Sequence, residues 1–104
     1  MFDLTYQFTA PLWRYPGEAA WYFITLPQAE SEEIRRYTAH RRRGWGSLRV
    51  LATVGSTVWD TSIFPDRGLN AFLLPVKAAV RKAERLDDGM QVDLTLTIAA
   101  DELG

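Results

Sequence analysis

The sequence predicts a mainly β domain: six strands in the order ββαβββαβ, curled into a small closed or nearly closed barrel with two short helices. Three observations carry this expectation. The segments "FDLTYQFTA" and "QVDLTLTI" alternate between apolar and polar residues, as strands with one buried face do. "GSLRVLATV" and "TVWDTSIF" are two β-rich runs meeting at Gly55-Ser56, a pair suited to a type II′ hairpin turn. Helical spacing is confined to two stretches, and six strands in about a hundred residues are best satisfied by curling the sheet on itself. An open α+β sandwich is the alternative.

In the first segment Phe2, Leu4, Tyr6 and Phe8 share the inward face. "PLWRYPGEA" brings two prolines and a glycine and reads as a connection. "AWYFITL" is aromatic and β-branched and forms the second strand. From Pro27, "PQAESEEIRRYTAHRRR" has acidic residues at its start and basic ones at its end, which suits a helix dipole. It is a surface helix ending before Gly44, docked through Ile34 and Tyr37 on a narrow stripe with Ala29 and Thr38.

After the hairpin, in which Trp59, Thr61 and Ile63 share a face, "PDRGLN" supplies turn chemistry and "AFLLP" a short strand. Pro75 then opens the second helix, "PVKAAVRKAERL", with Val76, Ala79, Val80, Ala83 and Leu86 inward and Lys77, Arg81, Lys82 and Arg85 outside. "DDGM" turns the chain into the last strand, whose inward residues are Val92, Leu94, Leu96 and Ile98. Residues 99–104 read as a polar, loosely held tail on a single domain spanning 1–104.

Composition bounds the chemistry. At 104 residues with 47% hydrophobic and 12% aromatic content, the chain can order itself around one core. It has no cysteine, which removes disulfides, thiolate metal sites and cysteine nucleophiles and fits a reducing compartment. One histidine, His40, cannot build a multi-histidine metal site. The N-terminal residues lack a secretory pattern, and no apolar run approaches the roughly 20 residues that span a bilayer, so a cytoplasmic location is expected. A net charge of −1, from 12 basic and 13 acidic residues, gives no global attraction to nucleic acid or anionic lipid. P-loop, G-x-G-x-x-G, H-E-x-x-H and G-x-S-x-G patterns are all missing.

Several fragments together resemble a known family. "WYFITLP", "ATVGSTVWDTSIFPDRG", "FLLPVKAAVRKA" and the closing L-x-x-G-x-x-V are similar to domain-of-unknown-function family 1905 of bacteria and archaea, over roughly Tyr6 to Ile98. The resemblance implies a six-stranded barrel and brings no established activity and no catalytic residue. Members occur alone or fused to a domain associated with bacteriocin protection. "LLPVKAAVRKAERLDDGMQVDLTL" also resembles the strand–Pro–helix–turn–strand unit of AbrB and MazE-type cradle-loop barrels, departing from it at Gly89-Met90, where those proteins usually have Gly-Asp.

Two clusters are candidates for binding. Lys77 and Arg81 lie at i and i+4 and can grip a carboxylate or phosphate together, although the exposed face of any short amphipathic helix carries charge. The hydroxyls of Thr61 and Ser62 and the turn through Asp66 and Arg67 precede that helix and add anion-binding groups. In "HRRRGWG", Arg43 and the glycine-flanked Trp45 can hold phosphate and stack a ring, or serve only as a cation-rich helix end and a core cap. His40 is expected to be solvated, Trp21 and Trp59 to be core or barrel lining, Asp60 to be exposed or paired with Arg49, and Glu30, Glu32 and Glu33 to be structural. The expected function is binding of a small anionic or aromatic ligand at the barrel mouth through Arg43, Trp45, Ser62, Asp66, Arg67, Lys77 and Arg81. No catalytic residue, metal or cofactor is called for. A homodimer or protein-docking module is the alternative, with nucleic-acid binding third and disfavoured by charge; no membrane partner is expected.

Overall fold

Six strands form the sheet: β1 (Leu4–Arg14), β2 (Tyr22–Thr25), β3 (Leu48–Val54), β4 (Thr57–Asp66), β5 (Ala71–Pro75) and β6 (Gln91–Ile98). Helix α1 (Gln28–Thr38) follows β2, α2 (Ala78–Glu84) follows β5, and α3 (Ala100–Leu103) follows β6. The computed structural model describes residues 2–17, 19–40 and 46–103. All strand pairs are antiparallel, and the order β1-β2-β5-β4-β3-β6 closes on itself as a barrel. The closed form, not the open sandwich, is the one adopted.

Alternation fills the interior. Leu12, Ile24, Leu48, Ala52, Ile63, Leu74, Leu94, Leu96 and Ile98 are all essentially inaccessible, and Trp59 joins them. Burying each large aliphatic side chain contributes about 1.5–3 kcal/mol, so this shared face is the main reason the sheet closes. Ile34 from α1 and Val76 and Val80, just before and within α2, complete the core.

Several elements depart from expectation. β1 does not stop before Pro11: it runs to Arg14, pairing with β6 through Leu4–Pro11 and with β2 through Leu12–Arg14. Leu12 donates its N–H to the Met90 carbonyl on the β6 side. Alternation therefore turns the nitrogen of Pro11 toward β2, so the ladder with β6 loses nothing there. Phe2 lies outside the strand and is exposed. Pro75 does not open a helix; it is the last residue of β5, and α2 begins at Ala78 with Lys77 as its N-cap. Ala79 and Ala83 are exposed, leaving Val80 as the buried residue of that helix.

In α1, Ser31 and Ile34 are buried, whereas Ala29 is exposed and Tyr37 keeps 43% of its surface. The tail is not loose either. It forms α3, with Leu103 buried, the Ala100 N–H on the Asp3 carboxylate and the Glu102 carboxylate accepting the Arg49 N–H. Leu103 gives that short polar segment the apolar anchor it needs to dock.

Ser31 occupies a gap in the ladder. Leu26 donates to the Phe72 carbonyl, but the return bond is intercepted: the Ser31 hydroxyl accepts the Phe72 N–H at 3.1 Å and donates to the Leu26 carbonyl at 3.4 Å. Ser31→Ala strands a buried N–H, and chemical denaturation is expected to show a loss of about 1–3 kcal/mol with little change in cooperativity.

Tyr6 of β1 clamps the same helix by donating its phenol to Glu33 at 2.6 Å. Burial, with the neighbouring Glu33 carboxylate second, pushes this phenol well above its ordinary value of about 10. A folded-state pKa raised in this way stabilises the protein fully below the unfolded value, and the contribution is lost as pH climbs above about 10. Thermal melts should show an alkaline decline that is shallower in Tyr6→Phe, and Tyr6→Phe should cost about 1–3 kcal/mol at neutral pH.

Candidate ligand cleft

The wall of the barrel opens between β4 and β5, and the cause is Pro75. Val76 donates to the Tyr22 carbonyl on the β2 side, so the position before it, Pro75, faces β4. The β4–β5 ladder holds through Asp66↔Ala71, Pro65↔Phe72 and Phe64↔Leu73. The next exchange would set Pro75 against Ser62, and proline has no N–H to give. The strands part there, β5 passes into α2, and a cleft of about 370 Å³ remains.

This cleft is lined by Trp21, Tyr22, Trp59, Asp60, Thr61, Lys77 and Arg81, among others. Arg81 is held in place from two sides. Its Nε donates to the Val76 carbonyl at 3.1 Å, and its guanidinium carbon lies 3.8 Å from the Tyr22 ring centroid. Such a cation–π contact contributes about 0.5–2 kcal/mol and, with the hydrogen bond, fixes the side chain in place. Its two terminal amino groups make no contact with an acceptor among the described residues. Lys77 is exposed on the same rim, across from the exposed Asp60 carboxylate. The barrel thus presents two cations and one anion over an aromatic wall.

The position of α2 depends on one acidic residue. The Glu84 carboxylate accepts the Thr57 hydroxyl at 2.6 Å and the Ser56 hydroxyl at 3.5 Å, tying the helix to the β3–β4 turn. At Gly55 the backbone has φ +58, matching the type II′ turn, and a Cβ there would run into the Glu84 carboxylate.

A second, apolar groove of about 360 Å³ adjoins the cleft at Trp21, and Tyr15, Pro16, Gly17, Ala19 and Phe23 form the rest of it. It lies on a cluster of four aromatic rings on the outer side of the β1–β2 hairpin. Trp21 stacks on Phe23 with centroids 6.1 Å apart, Trp13 packs on Phe23 at 5.3 Å, and Tyr15 meets Phe23 edge-on at 6.2 Å. Trp21 keeps 56% of its surface, so it is a platform between the two depressions and not core.

Of the residues expected to bind, Lys77 and Arg81 share the cleft; Ser62, Asp66 and Arg67 do not line it. The Ser62 hydroxyl accepts the Arg49 guanidinium at 3.3 Å, and the Asp66 carboxylate accepts the Leu69 N–H at 3.1 Å within its turn, where Arg67 is exposed. Arg43 and Trp45 lie outside the described residues. His40 is exposed, and Asp60 is exposed without pairing to Arg49. Tyr22, Trp21, Asp60 and Glu84 were not singled out as ligand or positioning groups from sequence. For the first two a signal existed, because Trp21 and Phe23 share parity with each other and alternate with Tyr22. No group of three or more His, Asp or Glu residues suited to a metal occurs among the described residues.

A small closed barrel breached by a cationic, aromatic-walled cleft is the class of domain that these features define. A profile of the family described as "Domain of unknown function (DUF1905)" matches residues 8–96, and the chain belongs to that family. No curated protein matches the chain. No helix among the described residues is long and apolar enough to cross a membrane.

Gly55→Ala is expected to cost about 1–2 kcal/mol, from a positive φ and from displacing Glu84. Glu84→Ala should relieve the contact, so the double variant should lose less than the sum of the two single changes in a thermodynamic cycle.

Proposed function

We propose that this domain binds a small organic anion with an aromatic or apolar body, in the cleft where β4 and β5 part. The observation that carries the reading is the convergence of Lys77 and the pre-positioned Arg81 with Trp21, Tyr22 and Trp59 on one cavity. A guanidinium held by its Nε and by a ring leaves its two amino groups to meet a carboxylate end-on. Trp21 then offers a face to the rest of the ligand, and the adjoining apolar groove extends the contact. Among the described residues no group in the cleft forms a nucleophile–base pair, and the reading is one of binding without catalysis.

Tryptophan fluorescence tests this directly, because Trp21 and Trp59 line the cleft. Titration with 3-phenylpropionate should quench emission saturably, and 3-phenylpropanol should not. Arg81→Ala and Lys77→Ala should each weaken binding about tenfold or more, the loss of one charge-assisted contact. Arg36→Ala, an exposed cation on α1, should leave it unchanged. Equal response to the acid and the alcohol would defeat the proposal.

The ring cluster of Trp13, Tyr15, Trp21 and Phe23, in which Tyr15 and Trp21 are exposed, favours a second reading, self-association through the β1–β2 hairpin. Light scattering on the full chain separates the two, since a monomer that binds the anion leaves only the first.

A further inference from the structure

The cleft runs beside a length of sheet edge that no strand among the described residues occupies. In a two-residue hairpin the residues flanking the turn, here Val54 and Thr57, exchange hydrogen bonds, so Thr57, Trp59, Thr61 and Ile63 face β3. The backbone groups of Asp60 and Ser62 then point the other way, into the gap. Across from Ser62 stands Pro75, which has no N–H. Across from Asp60 stands Lys77, whose carbonyl already accepts the Val80 and Arg81 N–H groups at 3.1 Å. Among the described residues nothing bonds the backbone of Asp60 or the carbonyl of Ser62 on this side. Two cations flank this same open stretch.

We infer that the cleft takes the C-terminal end of an extended peptide, which adds as a short strand to the free edge of β4 while its terminal carboxylate meets Lys77 and Arg81. The inference rests on the anion-binding reading above and narrows its ligand class. An open edge offers N–H and C=O in the alternating order that only another extended backbone matches, and edge addition is a recurrent way to bind peptides. The charges agree: Lys77 and Arg81 suit the carboxylate. The cavity of about 370 Å³ accommodates roughly three residues, and a side chain leaving the pairing plane meets Trp21. Glu84, through Thr57, holds α2 alongside the edge without filling it.

The test uses the full chain, calorimetry and N-acetyl-Ala-Ala-Phe with a free carboxylate. Its C-terminal amide should bind about tenfold or more weakly, as should the free acid to Lys77→Ala or Arg81→Ala. Lys77 is exposed, so its variant reports on charge without disturbing the Val76 contact that Arg81 makes. Strand addition also predicts parity: N-methylation at the first and third residues, or at the second alone, should weaken binding about tenfold, while the other pattern has little effect. Equal effects of the two methylation patterns, or indifference to amidation, would overturn the inference. Binding of 3-phenylpropionate without binding of any peptide would also overturn it and leave the anion reading standing; loss of both would overturn both.

Discussion

Every backbone N–H and C=O in a closed sheet needs a partner, and three of the places where the ladder fails to provide one, among the described residues, shape this barrel. Pro11 ends the β1–β2 ladder, since the nitrogen facing β2 carries no hydrogen and pairing begins only at Leu12↔Ile24. Leu26 and Phe72 lose their reciprocal bond because the chain leaves β2 for α1. Pro75 ends the β4–β5 ladder at Phe64↔Leu73. The second lapse is answered from within the protein. Helix α1 spans that end of the barrel, with Ser31 replacing the missing ladder bond and Tyr6 of β1 reaching Glu33. Among the described residues the third has no such plug, and it is the one bordered by Lys77 and Arg81.

That asymmetry explains why two helices of similar role differ so much in sequence. Helix α1 inserts a buried hydroxyl and Ile34 into the structure, so its docking is specific and its polar remainder is free to be solvated. Helix α2 buries only Val80 along its length and is fixed at its ends. At its start the chain is tied to β2 through Val76 and Tyr22; near its end Glu84 reaches the hairpin turn. Beyond Glu84, Arg85 takes a left-handed conformation with φ 55, and its N–H reaches back to the carbonyls of Arg81 and Lys82. Pinned at both ends, the helix stands beside the β4 edge and does not settle into it.

Much of the barrel was legible in the sequence because it rests on local alternation. Val92, Leu94, Leu96 and Ile98 are buried as their spacing requires, and Gly55-Ser56 turns the hairpin where two β-rich runs meet. The errors share a cause. Pro11 was read as part of a connection and Pro75 as the start of a helix, both along the chain's own direction, whereas each acts sideways, on a neighbouring strand whose identity depends on topology. Ser31 and Glu84 have partners 41 and 27 residues away, and no spacing rule connects a serine in an acidic helix to the N–H of Phe72. For the site, Lys77 and Arg81 could be paired by helical spacing, while Ser62 and Asp66 were grouped with them by proximity in sequence. The pleat sends the Ser62 hydroxyl to Arg49 on the outer face, and the turn consumes Asp66.

Size also dictates where binding can occur. A barrel of eight strands is about the smallest whose interior holds side chains with room for a small ligand, and six strands leave less. Here Trp59, Ile63, Leu74, Leu94 and Leu96 meet in the centre, so the lumen is core. A ligand has to approach through the rim or through a breach in the wall. Pro75 makes such a breach without sacrificing the core, because Val76 immediately rejoins β2 and carries its own side chain inward. Removing one hydrogen from one nitrogen therefore does two things at once. It stops the sheet, and it turns the next cations, Lys77 and Arg81, to the edge that has just been left open.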